Sequence, residues 1–133
     1  MLIKNNSCLC GSTRHYNKCC GIFHNNNLAP TAEALMRSRY TAFCMNKTSY
    51  LVTTTLPEQQ KMLLANNTYK ASNQTKWFKL EIIATKNGKQ QDQTGIVEFK
   101  AWYTDIASGL KHCHHEISSF IKQSNHWYFV YPE

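Results

Sequence analysis

The sequence predicts an α+β fold: a helical first half laid on an antiparallel sheet, preceded by a small cysteine knuckle built to hold a metal ion. Three observations predict it. Four of the six cysteines, Cys8, Cys10, Cys19 and Cys20, fall within thirteen residues. Between residues 31 and 46 apolar side chains recur at helical spacing. From Trp77 onward they alternate with polar ones, as in half-buried strands.

The knuckle comes first along the chain. A disulfide between neighbours such as Cys19 and Cys20 would close a very small ring, and disulfide geometry is demanding. Residues 1–6 lack the apolar run of a secretory signal, so the thiols are expected to stay reduced, in the cytoplasm. Four converging thiolates suit tetrahedral zinc, and iron accepts the same donor set. Gly11 lets the backbone turn tightly after the first pair. Arg14 and Lys18 lie between the pairs, where positive charge offsets the excess negative charge of four thiolates on one divalent ion. His24 is the alternative fourth ligand, ranked below Cys20 because the intervening residues would have to loop back; it is expected to be a solvated loop residue.

Residues 22–30 read as a linker, so the expected division is a knuckle over 1–26 and a main domain over 27–133. Thr31 is the expected N-cap of a helix that runs to about Asn46, with Glu33 in its first turn. Leu35, Met36, Tyr40, Phe43 and Cys44 should form its packed side. A second helix is expected over 48–54. Thr55 to Glu58 reads as a capping box that opens a third helix, which should end at Asn66 and Asn67. Four strands follow, over 77–85, 94–104, 110–122 and 126–131, with turns at Asn87-Gly88, at 105–109 and at 123–125. Helices followed by a meander pack on one face of the sheet.

Composition narrows the functional classes. No apolar run approaches the roughly 18 residues that span a bilayer, so membrane insertion is not expected. The net charge of +7 is unevenly placed: residues 1–47 carry six Lys/Arg against Glu33 alone, and the rest carry nine against seven. The basic end coincides with the knuckle, which points to an acidic partner.

The cysteine pattern, with Gly11, Ser12, Tyr16 and Lys18, resembles the SEC-C motif, whose ligands map onto Cys8, Cys10, Cys19 and Cys20. The chain departs from that motif at Leu9, where Pro is usual, and at Thr13, where Gly is usual. The stretch from Leu35 to Phe43 is similar to the signature helix of the bacterial YchJ family. Trp77 with Leu80, Gly95-x-Val97-x-Phe99-x-Ala101, His115-Glu116-x-Ser118-x-Phe120 and Trp127-Tyr128 fit that family too. This resemblance implies a cone-shaped, cystatin-like domain similar to nuclear transport factor 2 (NTF2), with Glu116, Ser118 and Phe120 facing into the cone. It implies no assigned activity.

Strand alternation puts His112, His114, Glu116, Ser118 and Phe120 on one face and Cys113, His115, Ile117, Ser119 and Ile121 on the other. A buried Glu116 would need a cation, and Arg37 or Arg39 is the expected partner. Three functions follow as expectations. The first is a zinc-binding adaptor, not an enzyme, whose basic knuckle (Lys4, Arg14, Lys18) meets an acidic protein surface, which the SEC-C resemblance implies is a chaperone or the ribosome. The second is a small-molecule site or enzyme in the cone, with Arg37 or Arg39 clamping an acidic ligand and Glu116 beside Ser118 as base. The third is nucleic-acid binding through the basic end, which lacks a recognised base-reading module.

Overall fold

The computed structural model describes residues 7–132. Lys4 therefore lies outside the described residues. Four helices, α1 (Cys20–His24), α2 (Ala32–Cys44), α3 (Thr48–Thr53) and α4 (Pro57–Ala65), precede four strands: β1 (Thr75–Asn87), β2 (Thr94–Asp105), β3 (Lys111–Gln123) and β4 (His126–Val130). The strands form one antiparallel meander in the order β1-β2-β3-β4.

The reversals use the residues best suited to them. Asn87 and Gly88 both take positive φ at the end of β1, and Ser124 and Asn125 do so between β3 and β4. Irregularities in β1 between Trp77 and Lys79 and between Ile82 and Ala84 bend the sheet. Its concave face packs on α2, burying Val97, Phe99, Ala101, Phe120, Trp127 and Phe129 against Leu35, Met36 and Tyr40.

Helix α2 starts as its sequence predicts. Thr31 accepts a hydrogen bond from the Ala34 amide at 3.0 Å. It ends at Cys44, two residues before the expected Asn46, where Asn46 turns the chain with φ 56°. Phe43 stands at the rim of the cone, while half-buried Cys44 packs against the core, its thiol pushed up to about 11 by burial.

Two local expectations are corrected. Residues 22–24 are not linker but the second half of α1. The capping box at Thr55 does not form. Its hydroxyl instead donates back to the Leu51 carbonyl at 2.8 Å, and Leu56 takes the N-cap position. The cause is β4: the Leu56 amide bonds the Phe129 carbonyl at 2.9 Å and the Phe129 amide bonds the Thr54 carbonyl at 2.8 Å. That bridge holds the backbone extended and turns Thr55 inward, where it is fully buried.

The knuckle loop shows the effect of the Thr13 departure. Thr13 keeps the left-handed conformation, φ 69°, that glycine would adopt without cost. A side chain in that region costs roughly 1–2 kcal/mol, while glycine loses roughly 0.5–1 kcal/mol in entropy. Thr13 is exposed, and its hydroxyl donates only to the neighbouring Ser12 carbonyl. Thr13→Gly is therefore expected to raise the thermal midpoint, by roughly 0.5–1 kcal/mol of stability. A lowered midpoint would show that the loop carries no such strain.

Candidate functional site

Cys8 and Cys10 sit on a tight loop, and Cys19 and Cys20 on the turn into α1. The Cys8 amide bonds the Arg14 carbonyl at 2.7 Å and the Gly11 amide bonds the Cys8 carbonyl at 3.2 Å, with Gly11 at φ 86°. A short 3-10 turn, Tyr16–Lys18, then lifts the second pair back towards the first. Gly21 is obligatory here, because a Cβ would stand 2.7 Å from the Tyr16 carbonyl oxygen.

All four sulfurs lie within 4.8 Å of one another, and each cysteine is at most 4% exposed. Four sulfurs bound to zinc at about 2.3 Å would stand about 3.8 Å apart. The Cys10–Cys19 separation is 3.6 Å, so the donor set fits a tetrahedral ion. The charge balance asks for one. Hydrogen bonds from Cys10 and Cys20 pull the Cys8 thiol down, whereas bonds to Cys10 and Cys8, with burial, push Cys20 up. Thiolates packed this closely repel one another, and a divalent cation in their midst offsets that repulsion.

A second layer holds the sulfurs. The Ser12 hydroxyl is 3.1 Å from Cys19 Sγ, and Arg14 reaches the same sulfur at 3.9 Å. From α2, the Thr41 hydroxyl donates to Cys20 Sγ at 3.3 Å and lies 3.8 Å from Cys8 Sγ. Arg37 Nη1 donates to the Cys10 carbonyl at 2.8 Å. Neither Thr41 nor this contact was predicted from sequence. The available signal was a polar stripe, Arg37, Ser38 and Thr41, at helical spacing along α2.

His24 is neither a ligand nor a solvated loop residue. Its Nδ1 accepts from the Tyr16 hydroxyl at 2.6 Å, and its Nε2 donates to the Ser38 carbonyl at 2.8 Å. Burial pushes its pKa down, consistent with a neutral ring that clamps the knuckle to α2.

Of the residues expected in the cone, Arg39, Glu116 and Ser118 line a cavity of about 530 Å³, and Arg37 does not. Arg37 pairs with Glu33 at 3.0 Å, one turn away on α2. The expected ion pair with Glu116 does not form with either arginine. Glu116 accepts from His114 Nε2 at 2.8 Å and from the Ser118 hydroxyl at 2.5 Å. Its side chain is 30% exposed, so it does not need a buried counterion. Arg39 turns the other way, donating to the Leu51 carbonyl and Thr54 hydroxyl at 2.8 and 2.7 Å. On the opposite sheet face His115 meets Glu98 at 2.7 Å and Cys113 is exposed, so the β3 histidines do not converge.

A curved meander on α2, with a buried cysteine cluster at its amino end, defines an NTF2-like domain carrying a SEC-C type knuckle. Residues 31–132 match the model of the YchJ middle NTF2-like domain. The chain belongs to the YchJ family. A UPF0225 protein of Haemophilus influenzae strain 86-028NP is 42% identical over 127 residues, spanning 95% of this chain and 76% of that relative. The solution structure of a SEC-C motif containing protein from Rhodopseudomonas palustris is similar, with TM-score 0.80 and 32% identity over 96% of this chain and 97% of that one. So is the crystal structure of a SEC-C motif containing protein from Psychrobacter arcticus, with TM-score 0.77 and 34% identity over 99% and 84%. No helix among the described residues is long and apolar enough to cross a membrane.

Proposed function

We propose that this protein is a cytoplasmic zinc-binding adaptor, in which Cys8, Cys10, Cys19 and Cys20 hold the ion and the basic outer surface of the knuckle contacts an acidic protein face. The observation that carries the metal reading is the convergence of four buried sulfurs within 4.8 Å. A closed site with four protein ligands leaves no position for a substrate, so the ion acts as a structural element. Zinc supplies the cross-link that lets so short a segment fold, and iron is the competing occupant.

The contact surface is argued from what the cysteines leave outside. Arg14 and Lys18 are exposed on the loops that wrap the sulfurs, with no acidic side chain paired to them among the described residues. Arg14 also reaches the Cys19 sulfur, so the Lys18 charge is the one left to steer an acidic partner, with a chaperone and the ribosome as the candidates.

Two measurements test this reading. Elemental analysis of reduced protein is expected to find one zinc per chain, with exposed Cys113 reacting readily with a thiol reagent, half-buried Cys44 slowly, and the other four only once a chelator is added. Metal-free protein with six equally reactive thiols would end the metal reading. Lys18→Glu, at an exposed position where the side chain reaches none of the sulfurs among the described residues, is expected to keep the metal and to weaken co-sedimentation with ribosomes or capture by chaperones. Binding unchanged in that variant would remove the knuckle as the contact.

A further inference from the structure

The cavity in the cone is the feature that the knuckle does not explain. Its walls are largely aromatic, with Trp77 at the centre. The Trp77 ring centroid lies 4.9 Å from that of Tyr103, 6.3 Å from Tyr40 and 6.4 Å from Phe43, with rings tilted or edge-on to one another. Arg39 and Glu116 are the formally charged side chains that line it, and they are not equally available.

Arg39 is 3% exposed and its hydrogen bonds are taken up by neutral groups inside the fold. Nη1 reaches the carbonyl end of α3 through Leu51 and Thr54, where the helix dipole favours a cation. Nη2 donates to the Tyr69 hydroxyl at 3.0 Å, and the Phe129 ring covers the guanidinium at 4.4 Å. Glu116 is the opposite case. Both its partners, His114 and Ser118, are side chains on its own strand, and no lysine or arginine among the described residues pairs with it. Each carboxylate oxygen keeps a further lone pair.

We propose that the cavity binds an organic cation, an ammonium or amidinium group on an apolar body, with Glu116 as its counterion and the aromatic wall around Trp77 as its cage. Ring faces attract a desolvated cation, most strongly at tryptophan, and a carboxylate beside them adds a charged acceptor. The ligand is thus opposite in charge to the acidic molecule expected from the arginines in the sequence. This inference does not rest on the knuckle's role, because none of the four knuckle cysteines lines the cavity.

The test is titration of the full metal-loaded chain with benzyltrimethylammonium, 2-phenylethylamine and phenylacetate, which share an apolar ring and differ in charge. Both cations are expected to bind saturably at millimolar concentration or below, shifting the Trp77 indole signal while Trp102 and Trp127 stay fixed. Phenylacetate is expected to bind at least about tenfold more weakly. Glu116→Gln should weaken both cations about tenfold or more and leave the thermal melt close to wild type, since the side chain is partly exposed. Trp77→Leu should weaken the quaternary ammonium as well, so the proposal stands on two variants. Phenylacetate binding as tightly as the cations would overturn it. So would cation affinity unchanged in Glu116→Gln, or no saturable Trp77 shift with either cation.

Discussion

Chain carrying Cys10→Ser is expected to lose its bound metal and several kcal/mol of stability. Cys10 is fully buried, its sulfur lies 3.6 Å from that of Cys19, and its carbonyl takes a hydrogen bond from Arg37. A serine hydroxyl is a poor zinc ligand, and structural zinc contributes on the order of 10 kcal/mol to folding a site of this kind. The effect should reach beyond the loop, because the four cysteines are part of the same packed cluster as Leu35, Met36 and Tyr40. Metal content and the thermal midpoint are the readouts. Cys113→Ser, at an exposed position, is the control expected to change neither. A Cys10→Ser protein that kept its metal and melted with the wild type would refute the assignment of Cys10 as a ligand.

Gly95→Val should cost about 3 kcal/mol or more through an unrelated mechanism. A Cβ at residue 95 would sit 2.5 Å from the Gly88 Cα, 3.0 Å from the Gly88 nitrogen and 3.1 Å from the Ala32 Cβ. Two of these three atoms are backbone, and neither strand can yield easily. Gly88 is fixed at φ 79°, its amide bonded to the Thr94 carbonyl at 2.9 Å, and its own carbonyl accepts from the Ala32 amide at 2.9 Å. The extra atoms would therefore wedge the β1–β2 hairpin away from the start of α2. Urea denaturation would show a lower midpoint, and Gly95→Ala should fall between the two proteins. A valine variant with the wild-type midpoint would mean that the hairpin and helix part at little cost.

The strands were legible because each has period-two alternation between residues suited to turns, and their ends fall within two residues of expectation. The Thr31 cap was legible for a similar reason, since its signal is local. What could not be read was local chemistry overruled by a distant strand. Thr55 has the sequence of a capping residue, but β4 captures its neighbours' backbone and leaves its hydroxyl facing α3. His24 looked like a loop histidine because its partners, Tyr16 and Ser38, lie eight and fourteen residues away. The pairing of Glu116 with an arginine failed on a matter of degree. Pattern shows which face of a strand a residue occupies, but not how far it stands from the mouth of a cavity. At 30% exposure water solvates Glu116, and the arginines are held by carbonyls and by Glu33.

Helix α2 meets the knuckle on one side, through Thr41 at the sulfurs and Arg37 at the Cys10 carbonyl, and lines the cavity through Met36, Arg39 and Tyr40 on the other. Evolution could not exchange the amino-terminal clasp for an unrelated module like a bead on a string, because a new partner would inherit a surface shaped for sulfur. Drift in the clasp and drift in the cone must pass through the same thirteen residues, so the two are bound to change together.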